Sequence, residues 1–294
     1  MRGRIAIVAA STTILLVIIG LFISAPKSWR FGASPSSVAG HYPYLKPSPL
    51  PWNPPKPKDP SGDDPAARLI VKVKLEEEDP PSWIDSLFPT WRKEVVTIGL
   101  EFSQLHENGR RVDKGRIANA YLTWIIENYK NLPDTMVFLS PDKQSQGESR
   151  AGSDRKNDIS NLQIPFIQSS GFANLQCPSP STCADSILPF RSPPNEFRTL
   201  EVNMTKAWVG IFGNITVPEQ LSTPPCAEFA VSKAQVQKRG VEEYLKCWQW
   251  LNRTIMDDDS AGLVFAYLWH VIFGRDAVFC PQEKQCECEV YGKC

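Results

Sequence analysis

Twenty consecutive residues without a charge, Ile5–Ser24 ("IAIVAASTTILLVIIGLFIS"), limit what the rest of the chain can be. A helix of that length covers a hydrocarbon core of about 30 Å, and the run exceeds the roughly 7–15 apolar residues of a signal-peptide core. It is predicted as an uncleaved signal anchor. The sequence Ile23-Ser24-Ala25 resembles a small-residue cleavage site, so secretion after cleavage is the alternative. Residues 1–4, with Arg2 and Arg4, are a very short arm that is expected to stay cytosolic. The chain then reads as a single-pass type II membrane protein facing the lumen of the Golgi or another secretory compartment.

Residues 25–66 are predicted as a stem. Eleven of the 26 prolines lie between Pro26 and Ala66, as in "KPSPLPWNPPKPKDP", a density that favours extended polyproline and excludes a packed core. At about 3.1 Å per residue, such a stem reaches up to about 120 Å. Residues 67–294 remain, enough for one α/β domain.

The compartment bears on the cysteines. Three sequons, at Asn203, Asn214 and Asn252, all follow the apolar run, and each is a glycosylation acceptor in a secreted chain. In an oxidising lumen, thiols pair rather than bind zinc. All eight cysteines are therefore expected in disulfides. Cys177 and Cys183 read as a local loop staple, and Cys226 and Cys247 are left for each other or for the tail. Cys280, Cys286, Cys288 and Cys294 of "CPQEKQCECEVYGKC" are expected to form two metal-free disulfides that pin the tail against the helix carrying His270. Eight cysteines allow 105 pairings, so connectivity stays open. With 32 basic and 32 acidic residues and no basic stripe, nucleic acid is excluded as a partner on electrostatic grounds.

The periodicities predict strands at Arg68–Leu75, Glu94–Phe102 and Thr135–Ser140, a short helix in "PPSWIDSLFPTW", and a long helix from Arg116 to Leu132 with Tyr121, Trp124 and Ile125 on its apolar stripe. Alternating strands and helices imply a mostly parallel sheet with flanking helices. Lys143–Ser160 reads as a polar loop. Two C-terminal helices are expected, one after Ser232 and a buried one capped by Ser260 and stopped at Gly274.

Parallel sheets bind ligands beyond their carboxyl strand ends. Those ends carry Glu76–Asp79, Glu101 and Ser140–Asp142, with Asp142 the candidate ligand for a Mn or Mg ion on a nucleotide diphosphate. Lys114, Gly115 and Arg116, at the mouth of the long helix, suit a phosphate. Asp257–Asp259 precedes a helix and reads as a turn and cap. His270 lies on a buried aromatic helix, and Glu228 in "CAEF" is the candidate acceptor-activating carboxylate.

The blocks "DKGRIANAYLTWIIENYKNLPDTMVFL", "GFANLQC", "CAEFAVSKAQVQKR", "YLWHVIFG" and "CECEVYGKC" resemble, in order, a fungal family known as domain of unknown function 3431 (DUF3431), over Arg68–Cys294. The resemblance implies a GT-A glycosyltransferase-like (Rossmann-like) fold, with Lys114, Gly115 and Arg116 matching the Lys-Gly-Arg block and His270 the Trp-His block. The chain departs from the pattern at Ile117, Ser140 and Ala266, where the family is expected to carry glutamate, histidine and glutamate respectively. The family's central Trp-His motif is also missing from Gly147–Asp158. The expectation is a lumenal glycosyltransferase with Glu228 and His270 as catalytic residues, a nucleotide sugar as donor and a glycan or glycoprotein as acceptor. The rival is a degenerate, membrane-anchored binding or scaffold protein on the same fold.

Overall fold

A computed structural model describes residues 67–87, 90–99, 112–142, 152–178, 183, 186–213, 216–224 and 227–294. The apolar run, the stem, Glu101, Asn214 and Cys226 lie outside the described residues. Among those described, no helix is long and apolar enough to cross a membrane.

Five strands form one sheet in the order β2-β1-β3-β5-β4. They are β1 (Arg68–Leu75), β2 (Arg92–Ile98), β3 (Thr135–Leu139), β4 (Phe172–Asn174) and β5 (Phe229–Ser232). The pairs β1/β2 and β1/β3 are parallel, whereas β5 runs antiparallel to both β3 and β4. The expected mostly parallel sheet is present. The two strands that sequence reading missed, β4 and β5, span three and four residues, too short for an alternation to register.

The helices are α1 (Ser82–Asp85), α2 (Ile117–Asn128), α3 (Gly152–Ser160), α4 (Ile164–Ser170), α5 (Thr199–Phe212), α6 (Lys233–Val236), α7 (Val241–Arg253), α8 (Asp258–Ala266), α9 (Trp269–Ile272) and α10 (Glu283–Tyr291). A 3-10 turn, Tyr129–Asn131, extends α2. The polar-loop reading of Lys143–Ser160 is corrected over its second half, which is α3. This helix carries few apolar residues, but Ile159 enters the core, so tertiary burial fixes it. The expected long C-terminal helix is two, α8 and α9, and its cap is Asp257, whose Oδ1 accepts from the Ser260 amide at 2.8 Å, rather than Ser260 itself.

The sheet separates two chemically different layers, because strand side chains alternate between faces. On one face Ile70, Val137, Leu139, Ala173 and Ala230 pack aliphatically with Ile84, Ile159, Ile167 and Val290 from the helices. On the other, Phe138, Phe172 and Phe229 meet Tyr121, Trp124, Trp269 and Phe273 in a continuous aromatic cluster, with the Phe138 and Phe229 rings stacked at 4.9 Å.

The disulfide reading needs correction in its connectivity. Cys177 does not pair with Cys183. Cys177 joins Cys286, Cys183 joins Cys280, and only Cys288–Cys294 closes within the tail. The tail is thus fixed to the segments after β4, not to the helix of His270. Closing loops of 97 and 109 residues restricts the unfolded chain by about 4–5 kcal/mol each in the chain-entropy picture. Cys247, expected in a disulfide, is instead a free thiol, buried on α7, and burial pushes its pKa up to about 12. A thiol enclosed by apolar packing is inert.

Candidate functional site

On β1, Lys72 follows Ile70 on the aliphatic face, beside Leu139 and Val95 in register, and is fully buried. Lysine holds such a position only when it is paired. Its Nζ donates to the Ser140 carbonyl and, at 2.8 Å, to Asp142 Oδ1. Arg155, 4% exposed on α3, donates from Nη1 to the same Asp142 oxygen at 2.5 Å, and its Nη2 meets Glu228 Oε1 at 2.9 Å. That Glu228 oxygen also accepts from the Ser140 amide at 3.2 Å and the Ser140 hydroxyl at 2.8 Å. Burial lowers the Lys72 pKa, and the hydrogen bond to Asp142 opposes the shift.

Topology explains why these groups meet. The chain leaves β1 for a neighbour on one side and later returns with β3 on the other, so the β1/β3 boundary is the switch point where an open sheet leaves a crevice beyond its carboxyl ends. Lys72 comes from β1 and Ser140–Asp142 from the end of β3. Glu228 immediately precedes β5, whose antiparallel direction brings its start to the same end, with Phe229 opposite Phe138. Asp142 is the outward member, with 42% of its side chain exposed.

The cluster does not fit a divalent cation. One Asp142 oxygen already takes hydrogen bonds from two buried cations, and a Mn or Mg ion beside them would meet like charge. Among the described residues, no group of three His, Cys, Asp or Glu side chains could hold a metal.

The remaining predicted residues are built into other parts of the molecule. Of Glu76–Asp79, only Glu78 is buried, and it turns back so that its Oε2 accepts from the Leu75 amide at 3.0 Å. At the mouth of α2, Gly115 has φ +76° and a Cβ there would lie 2.5 Å from Leu251, so glycine is required on both counts. Its amide, predicted to face a phosphate, donates to Asp258 Oδ1 at 3.0 Å. Lys114 Nζ donates to the Thr254 carbonyl, and Arg116 pairs with Asp259 at 3.6 Å. The Lys114–Arg116 block is thus a joint between α2 and the α7–α8 turn, with Asp258 occupying the anion position. His270, 1% exposed, bonds the Ala277 carbonyl through Nε2 at 3.1 Å, and burial pushes its pKa down to about 4.

Two of the residues that organise the switch point, Lys72 and Arg155, were missed from sequence. For Lys72 the signal was partial: it alternates with Lys74 in "RLIVKVKL", and only the fold shows that the first of the two is enclosed. For Arg155 there was none, because only the fold carries α3 to the sheet end.

A family profile described as protein of unknown function (DUF3431) matches residues 70–289. The chain belongs to that family. No curated protein and no solved structure matches it. The DUF3431 match spans β1 to α10 and so contains both the switch-point cluster and the Lys114–Arg116 joint.

Proposed function

We propose that this DUF3431 chain is a lumenal, membrane-anchored, GT-A-like glycosyltransferase whose switch-point crevice takes a nucleoside diphosphate sugar. The observation that carries the reading is the pair of buried cations, Lys72 and Arg155, held on Asp142 at the carboxyl ends of β1 and β3. Fixed cations in a site shielded from water stabilise the charge that develops on a departing diphosphate, the role a metal would otherwise fill. Glu228 acts here as a positioning residue. Its oxygen is committed to Arg155 and Ser140, which keeps the guanidinium in place.

The test is calorimetric titration of the purified full-length chain with UDP-, GDP- and CMP-sugars, with and without manganese. The expected outcome is binding of one donor class, independent of manganese and lost in Lys72→Met. Absence of binding for every donor would sink the reading. A second reading, a non-catalytic binding protein on the same fold, is favoured by the closure of the α2 mouth by Asp258. Donor binding without transfer or hydrolysis would select it.

The lumenal placement has its own check. Asn203 Nδ2 donates to the Thr199 carbonyl of its own helix, whereas Asn252 accepts from Lys114 and Asn119 and donates to Trp248. An endoglycosidase-sensitive mass shift that disappears in Asn203→Gln is the expected result. An unchanged mass in microsomes would remove the lumenal assignment.

A further inference from the structure

A cleft of about 200 Å³ lies along the outer edge of β4, away from the switch point. Its walls are Phe166, Phe172 and Phe279 with Pro178, Pro224 and Pro281. An apolar cavity of about 150 Å³ is enough for a benzene ring, so this one takes a ring with a small polar group attached.

The cleft is held open covalently. Pro178 follows Cys177, which is bonded to Cys286 on α10, and Pro281 follows Cys280, which is bonded to Cys183. Two long-range disulfides thus fix the wall formed by the tail against the wall formed by β4 and the segment after it. Walls fixed in advance lower the ordering cost of binding.

The polar groups are few and unequal. In the β4/β5 ladder, Ser232 donates to the Gly171 carbonyl and Leu175 donates to the Glu228 carbonyl. By antiparallel alternation, the backbone groups of Phe172 and Asn174 therefore face outward. The Phe172 carbonyl accepts from Arg275 Nη2 at 2.9 Å, and the same nitrogen reaches the Ser170 carbonyl at 2.7 Å. The Arg275 guanidinium also lies 5.2 Å over the Phe279 ring. Its Nε is buried without a hydrogen-bond partner. Behind Phe279 stands the His270 ring, nearly parallel to it at 6.2 Å between centroids. Glu289 lines the opposite wall, with Oε1 accepting from Gln285 at 2.9 Å. Asp276 and Glu289 are the acidic groups that act on Arg275.

We propose that this cleft binds a small apolar carboxylate, an aryl-acetic or short-chain fatty acid. Its ring or chain lies between the phenylalanines and its carboxylate lies against Arg275. Arg275 is the one cation among the lining residues and accepts a single negative charge on an apolar body, while Glu289, on the other wall, is held by Gln285. The cleft discriminates against phosphates, whose second charge would have no partner and would meet Glu289. The site uses none of the switch-point residues, so it stands or falls independently of the glycosyltransferase reading.

Phenylacetate is the probe, with 2-phenylethanol as a neutral analogue of similar shape, each titrated into the full-length chain by calorimetry or ligand-observed NMR. Ten non-hydrogen atoms at ordinary ligand efficiency correspond to a Kd of roughly 0.1–1 mM. Loss of a charge-assisted contact weakens the alcohol by about tenfold or more. Arg275→Met is expected to erase that preference. Because Arg275 also caps two carbonyls, Gln285→Trp provides the second variant. Its indole, placed at an exposed position on α10 that lines the cleft, fills the mouth without touching the core. That variant should fold normally and bind neither compound. No saturable binding of phenylacetate at about 10 mM, equal affinity for acid and alcohol, or binding undiminished in Gln285→Trp would each overturn the proposal.

Discussion

Two buried charge clusters in this domain are built with opposite polarity. At the switch point the cations are inside, with Lys72 fully buried and Arg155 4% exposed, while Asp142 looks outward. In the first turn of α5 the anion is inside. Glu201, 3% exposed, accepts from Arg191 at 2.6 and 2.9 Å, from Arg198 at 2.6 Å and from the Leu188 amide at 3.1 Å, and both arginines reach solvent. The side-chain hydrogen bond from Arg191 leads in holding the Glu201 pKa down to about 2. A carboxylate wrapped by surface arginines is a staple, because long cationic stems keep their heads hydrated while they close a loop. Buried lysine and arginine are costly to desolvate, so their retention at a sheet end points to use, not to stability.

If that contrast holds, breaking the clusters should give different outcomes. The largest effect is expected for Arg155→Met, which strips both Asp142 and Glu228 of a buried partner. Urea unfolding should show a loss of about 3–5 kcal/mol, and a loss under about 1 kcal/mol would mean the cluster is dispensable to the fold.

Glu201→Gln should cost about 2–3 kcal/mol at neutral pH, the Glu201 shift discounted for the exposure of its arginines. The folded pKa lies below the unfolded value of 4.5, so this stability is present above about pH 4.5 and is lost as the pH falls toward 2. The variant should lack that window.

His270 gives a comparable effect in a separate range. Its folded pKa of about 4 lies below the ordinary 6.5, so the unfolded chain takes up the proton first as the solution is acidified. Stability should be full above pH 6.5 and decline by about 2–3 kcal/mol toward pH 4. His270→Gln should flatten the curve between pH 6.5 and 4 while leaving the Glu201 window below 4.5 intact.

The smallest effect is expected for Lys72→Met. Asp142 keeps Arg155, and an isosteric apolar residue removes a buried ammonium, so stability should change by no more than about 1 kcal/mol. Donor binding should nevertheless disappear. A variant that binds as well as the parent would reduce Lys72 to a structural residue and erase the functional half of the contrast.

Much of the scaffold was legible because local rules and burial agree there. The run "RLIVKVKL" reads as β1 and is β1, and Thr135–Leu139 reads as a buried strand and is one. The turn at Asp257–Asp259 was also readable, although the cap of α8 is Asp257 and not Ser260. What failed were readings that took a local arrangement as complete when its partner lies far along the chain. The phosphate-ready look of Lys114–Arg116 depended on an open helix mouth, yet Asp258, 143 residues further on, fills it. The staple across "CPSPSTC" depended on proximity along the chain, yet each of those cysteines finds a partner in the tail about a hundred residues away.

By itself the sequence determined the α/β class, the parallel start of the sheet and the disulfide character of the tail, because periodicity, strand propensity and cysteine spacing act over a few residues. Only the tertiary structure decided which cysteines pair, that α3 and β4 exist, and that Lys72, Asp142, Arg155 and Glu228 form one cluster. A side chain's charge environment is set by neighbours the fold brings together, and neither the antiparallel return of β5 nor the docking of α3 is written in any short window of the chain.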